Sequence, residues 1–209
     1  MADIYAGTDK AIRSINRENL REFDKLKLTK WDELNVIRKV TELYKQATKK
    51  AKKKFLEIAF DAYIIALYEC AVAEKTATEM AEESITEDWL LDWLDEADPV
   101  TLYRFDTETE RKKQRLIEAL GVTNEKDDEI EKSLRFWTKQ VGQYAVTSAD
   151  RARMQAFKDA GIRKVRWVTE HDERVCDECG PRDGKVYNID NVPPKPHWGC
   201  RCWLAPVKE

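Results

Sequence analysis

Between residues 30 and 80, apolar side chains return every three or four positions. They are Leu34, Ile37, Leu43 and Tyr44, then Phe55, Ile58, Ala59, Ala62, Ile65 and Ala66. That period puts them on one face of an α-helix. No Gly or Pro interrupts the chain from Gly7 to Pro99. The pattern therefore predicts one helix from about residue 30 to about 80, opened by a Thr29 cap with Asp32 and Glu33 in its first turn.

Shorter helices follow. Ser84 with Glu87 has the spacing of a capping box ahead of Trp89-Leu-Leu-Asp-Trp-Leu-Asp-Glu. Asp98-Pro99 marks a stop and a new start. Thr107 with Glu110 repeats the capping spacing, and Gly121 is placed to close that helix. A last helix is expected from about Glu125 to Ala160, ending at Gly161. Its stripe is Ile130, Leu134, Trp137, Val141, Tyr144 and Ala145. The aromatics Phe136, Trp137 and Tyr144 are expected in the core, and Cys70 as a small buried residue.

After Gly161 the period changes to two. Val165-Arg-Trp-Val-Thr alternates as a strand does, Asp183-Gly184 is a hairpin signal, and Lys185-Val-Tyr-Asn-Ile continues as a strand. Cys202-Trp-Leu-Ala-Pro-Val reads as a final edge strand. Composition shifts at the same point. Residues 1–160 hold three Gly and one Pro, whereas residues 161–209 hold four Gly, five Pro and both His. The fold class expected is mostly α: a long-helix bundle (residues 1–160) followed by a small zinc-stapled, β-rich Cys/His module (residues 161–209), α+β overall.

The 209 residues suffice for a real core, and 42% hydrophobic with 10% aromatic residues excludes a disordered chain. The most apolar stretch, Phe55 to Ala73, contains Glu57, Asp61 and Glu69, so no transmembrane helix is expected. The opening Met1-Ala-Asp-Ile-Tyr has neither the basic start nor the apolar run of a signal peptide. The formal net charge of −3 hides local blocks. Residues Lys45 to Lys54 carry six lysines and no acid, and residues Thr76 to Tyr103 carry nine acids and no base. Each block reads either as a solvated helix face or as a docking surface. Lys49, Lys50, Lys52, Lys53 and Lys54 could hold DNA phosphates without sequence preference. The acidic segment, with Trp89, Leu90, Trp93 and Leu94 on one face, could dock on a basic partner.

The candidate chemistry lies in the cysteines. Five are present, an odd number that fits a secreted disulfide framework poorly. Cys176-Asp-Glu-Cys179 is followed, after 17 residues, by His197-Trp-Gly-Cys200-Arg-Cys202. Two residues between ligands let both thiolates of a knuckle reach one ion at about 2.3 Å, and structural zinc takes four such ligands. Cys176, Cys179, His197 and Cys200 are the first choice, with Cys202 the rival for a place in the second pair. Two disulfides or plain packing are the alternatives. His171-Asp-Glu173 beside Cys176 does not make a zinc deaminase. The two motifs of that enzyme sit on separate helices, and no Pro precedes Cys176. No nucleotide-binding or hydrolase motif is present, and no enzyme activity is expected.

Beyond the ligand spacing stands a longer order of residues: Thr147-Ser-Ala-Asp-Arg151, Ala160-Gly161-Ile162, Trp167-Val-Thr169, Asp172-Glu-Arg174-Val-Cys176-x-x-Cys179, Asp183-Gly184-Lys185-Val-Tyr187, Pro193-Pro194 and His197-x-x-Cys200-Arg201-Cys202. From about Tyr144 to Val207 it resembles the Mu F-like / SPP1 gp7-like family of phage minor head (head morphogenesis) proteins. Trp198 stands where the family commonly has Pro, and Val146 and Ser148 stand where it tends to have Arg and Glu. The resemblance implies a low-copy structural virion protein assembled in the host cytoplasm. Its implied partners are portal and capsid or scaffold proteins, with packaged DNA as a further one, in assembly or DNA ejection. Some relatives carry an additional C-terminal toxin or transferase domain; with seven residues after Cys202, none is expected here. A host zinc-ribbon adaptor for nucleic acid is the alternative.

Overall fold

The structure, a computed structural model, describes residues 33–96, 103–122, 126–171, 173 and 175–208, and also 10, 13, 14, 17, 18 and 21. Thr29, Asp32, Asp98, Pro99, Asp172 and Arg174 lie outside the described residues, and so do the expectations that fall on them. Among residues 33–208 as described, five helices, α1 (Glu33–Glu69), α2 (Glu74–Ser84), α3 (Glu87–Leu94), α4 (Phe105–Val122) and α5 (Lys126–Asp159), precede three strands, β1 (Lys164–Val168), β2 (Val186–Asn188) and β3 (Trp203–Val207). The fold is mostly α, with a small antiparallel sheet at its C-terminal end. No described helix is long and apolar enough to cross a membrane.

α1, of 37 residues, buries Val36, Val40, Leu43, Tyr44, Ala47, Ala51, Phe55, Ile58, Ala59, Ala62, Tyr63, Ala66 and Leu67. It packs along α5, of 34 residues. Both faces are rich in alanine (Ala145, Ala149, Ala152 and Ala156 on α5 are buried), which lets the axes approach. Ser148 Oγ donates to the Phe55 carbonyl at 2.8 Å across that contact. An aromatic cluster fills the middle: Phe105 meets Tyr144 edge-on at 4.9 Å and Phe55 at 5.3 Å, and Trp93 stacks on Tyr144 at 6.4 Å.

The long helix expected to reach about residue 80 stops at Glu69. Ala71 has φ +66°, the Val72 N–H donates to the Leu67 carbonyl at 3.0 Å, and the Ala71 N–H donates to the Tyr68 carbonyl at 2.9 Å. This is a Schellman ending with alanine where glycine is usual. The same bonds close α5, with Gly161 at φ +74°. Three further boundaries differ from expectation. The cap of α3 is Thr86, whose side chain accepts from the Trp89 N–H at 3.2 Å, and Ser84 ends α2 instead. Thr107 lies inside the first turn of α4, and Gly121 lies inside that helix.

The apolar face of α3 is consumed by the core: Leu90, Trp93 and Leu94 are buried, and Glu87, Asp88, Leu91 and Asp92 face water. Trp137 and Tyr144 are buried as expected, but Phe136 is 52% exposed. One residue turns a helix by about 100°, so Phe136 falls on the next face, where the Lys112 and Lys139 ammoniums approach its ring. Cys70 is half-buried.

The sheet order is β2-β1-β3. Val165 and Trp167 on one face of β1 are buried, and Lys164 and Arg166 on the other are exposed. Val165 joins the helical core, whereas Trp167 packs with Cys179, Cys200 and Cys202. Arg153 of α5, 2% exposed, donates to the Leu204 carbonyl of β3 at 3.0 Å. Pro206, without an N–H, sits on this same edge strand. Together they blunt the open edge of the sheet.

Candidate metal centre

The register of β1 brings both cysteine groups to one end of the sheet. Val168 pairs with Trp203 and Trp167 with Leu204. Cys202 immediately precedes β3, and the excursion carrying Cys176 and Cys179 leaves the same end of β1. The base of that excursion is closed by Trp167 N–H to the Lys185 carbonyl and Gly184 N–H to the Trp167 carbonyl, each at 2.9 Å. Asp183 adds to it by accepting from the Thr169 N–H at 2.8 Å. Gly184 at φ +73° makes the turn into β2.

Cys176 and Cys179 form a knuckle. The N–H groups of Cys179 and Gly180 donate to the Cys176 carbonyl at 3.1 and 2.9 Å, and the Cys179 N–H also points at Cys176 Sγ at 3.4 Å. His197 Nδ1 bonds the Trp198 carbonyl at 2.9 Å, which leaves Nε2 to face the thiols. Nε2 lies 3.0 Å from Cys176 Sγ and 3.9 Å from Cys179 Sγ, and Cys179 Sγ lies 3.6 Å from Cys200 Sγ. Ligand atoms around one tetrahedral zinc stand about 3.8 Å apart. Two groups whose ligand atoms all lie within 4.8 Å result, Cys176/Cys179/His197 and Cys179/Cys200/Cys202, sharing Cys179. All five cysteines are free thiols. The cluster could hold a metal ion. It lines a cavity of about 30 Å³ together with Glu170, Val175, Gly199 and Arg201.

Residues 109–205 match the model of a family described as phage Mu protein F like protein. Over that segment the chain is similar to the phage Mu protein F-like family. The Mu F-like segment opens in the first turns of α4, runs through α5, contains every Cys and His of the cluster and ends in β3. It thus reaches further towards the N-terminus than the motifs in residues 144–207. Nothing among curated proteins or solved structures matches the chain.

The electrostatics of the Mu F-like segment suit a cation. A hydrogen bond from Cys202 pulls the Cys200 thiol down to about 5, against burial and with help from Lys195. Burial, then the neighbouring thiols of Cys176 and Cys200, push Cys179 up to about 12. The bond to Cys200, then burial, push Cys202 up as well. For Cys176, burial pushes upward but hydrogen bonds from Cys179 and His197 bring the thiol below its usual range. The Trp198 carbonyl, ahead of burial, holds His197 above its usual value. Crowded thiols resist joint ionisation, and a divalent cation removes that conflict.

His171 stands apart. It is exposed, has φ +55°, and its Nδ1 faces the Asp183 carboxylate at 3.6 Å. The lysine block lies on α1. Lys50 pairs with Glu18 at 3.8 Å, Lys52 with Asp106 at 2.8 Å, and Lys54 with Glu57, while Lys49 and Lys53 are exposed. Sequence reasoning missed a second hollow of about 290 Å³ between α5 and the proline loop, lined among others by Met154, Trp167, Pro194, Cys202 and Trp203. Its walls are far apart in the chain, so no local pattern announces it. Gln143 Oε1, also on that wall, accepts from the Gly199 N–H at 3.2 Å and holds the His197–Cys200 turn on α5.

Proposed function

We propose that the chain is a minor head (head morphogenesis) protein of a bacteriophage. It is a low-copy, non-enzymatic component that binds portal and capsid or scaffold proteins during assembly in the host cytoplasm and remains in the virion. The match of residues 109–205 to the Mu F-like family carries this reading. Zinc is the ion best suited to the mixed thiol and imidazole set, and it staples a module too small to hold itself by apolar burial alone. A cavity of about 30 Å³ supports a structural ion rather than a catalytic one, because a hydrolytic metal needs an open position and room for substrate. Exposed Lys49 and Lys53 support non-specific contact with packaged DNA.

Quantitative mass spectrometry of purified particles from the phage encoding this chain tests the reading. The chain is expected in the particle at far fewer copies than the major capsid protein, and in complex with the portal protein when the two are co-expressed. Absence from both particles and portal complexes overturns it.

A further inference from the structure

The second half of α1 carries more apolar surface than its own bundle covers. From Phe55 to Tyr68 the only charged residues are Glu57 and Asp61, so the helix is apolar almost all round. One side is buried in the bundle, through Phe55, Ala59, Ala62 and Ala66 among others. On the other side Phe60 and Ile64 are half-buried, and Ile65 and Tyr68 stand 37% and 44% exposed beside Glu57 and Asp61. We propose that this face binds a second copy of the chain, with the two α1 helices antiparallel about a two-fold axis between Ile64 and Ile65. The face lies outside the residues matched to the Mu F-like family.

Three observations select that occupant and that direction. First, the side chains form rows of the kind helices interlock. Phe60, Ile64 and Tyr68 lie about one turn apart, and Asp61 and Ile65 make the neighbouring row. Second, the face is complementary to itself when reversed. The axis sets Ile64 against the partner's Ile65, and Asp61 against the partner's Tyr68, so that a carboxylate acceptor meets a phenol donor. Symmetry makes each contact twice. Neither Asp61 nor Tyr68 forms a hydrogen bond or ion pair within its own chain among the described residues. Third, charge rejects the other direction. Parallel copies in register would set Asp61 against Asp61 and Glu57 against Glu57, where like charges repel. In the antiparallel pair the two Asp61 carboxylates stand about 10 Å apart along the axis. Burial and then Glu57 already hold the Asp61 carboxyl above its usual range, and a facing hydroxyl relieves it.

Sedimentation equilibrium of the reduced full-length protein over a range of concentrations tests the proposal. The wild-type protein is expected to reach the mass of two chains and no higher, because a two-fold contact closes on itself. Ile65→Glu is expected to raise the dissociation constant by at least about tenfold, since aliphatic contacts give way to unpaired carboxylates. Tyr68→Lys is expected to keep the dimer and make it weaken with salt, because the new ammonium faces Asp61 of the partner subunit. Adding Asp61→Lys to that variant sets lysine against lysine and is expected to split the dimer. Circular dichroism of each variant checks that the helices are intact. A wild-type protein that stays monomeric throughout, or an Ile65→Glu dimer as tight as the wild type, overturns the proposal. So does a Tyr68→Lys variant that is monomeric by itself, which marks a parallel pair. A monomer that joins the portal protein, and loses it on Ile65→Glu, assigns the face to the portal and overturns the proposal as well.

Discussion

Arg153 grips Glu69 with both ends of its guanidinium, at 3.1 and 2.8 Å, and the same guanidinium reaches the Leu204 carbonyl of β3. One side chain of α5 thus ties the last residue of α1 to the sheet. Arg153 is 2% exposed, whereas the Glu69 side chain is 33% exposed, so the two ends of the pair are not equivalent. Arg153→Leu strands a carboxylate and a strand carbonyl and is expected to cost about 2–3 kcal/mol in chemical denaturation. Glu69→Gln, on the wetter side, costs less. Equal losses from the two variants would contradict this account.

The two Schellman endings give opposite expectations for substitutions between glycine and alanine. Ala71 holds φ +66° with a β-carbon, which is strained for an L-residue. Ala71→Gly is expected to stabilise by about 1 kcal/mol, and Gly161→Ala to destabilise by about 1–2 kcal/mol. Thermal melting of the pair, followed at the helical band, shows whether the signs are opposite.

Alkali should unfold the helical region through two phenols. Burial pushes Tyr44 up to about 12, and burial with the hydrogen bond to Asp159 pushes Tyr63 up to about 12. Both values lie above the ordinary 10.0, so the neutral phenols carry stability that is intact below pH 10 and lost as pH rises through about 12. Tyr63→Phe loses the 2.6 Å bond to Asp159 and is expected to cost about 1 kcal/mol at neutral pH. It should also show a shallower fall of stability between pH 10 and 12. A fall as steep as in the wild type would show that Tyr63 is not one of the groups responsible.

If DNA is held by the lysine row, charge reversal at Lys49 and Lys53 should weaken binding equally for all sequences. It should also reduce the salt slope by about two. An unchanged slope would assign the row to solvation alone.

Long-range periodicity made α1 and α5 legible because burial along one helix face is a repeating demand. The gathering of Cys176, Cys179, His197, Cys200 and Cys202 was legible because short Cys/His spacings survive any loop path. Boundaries were less so. Ala71 carries no mark of a helix end, since its left-handed geometry is imposed by Val72 and Leu67 packing into the core. Thr86 displaced Ser84 as a cap because Ile85 is buried between them. The apolar face of α3 looked available for docking because the sequence does not reveal that Trp93 stacks on Tyr144. Arg153 was missed for a related reason: an arginine on a charged helix ordinarily points to water.

The central claim is that a structural ion holds the C-terminal module together, and elemental analysis of the purified, reduced full-length protein tests it most directly. About one zinc per chain is predicted, with chelator or acid releasing it and loosening residues 161–208 while the helices keep their circular dichroism. A protein free of zinc, whose sheet amides stay equally protected from hydrogen exchange in chelator, would contradict it.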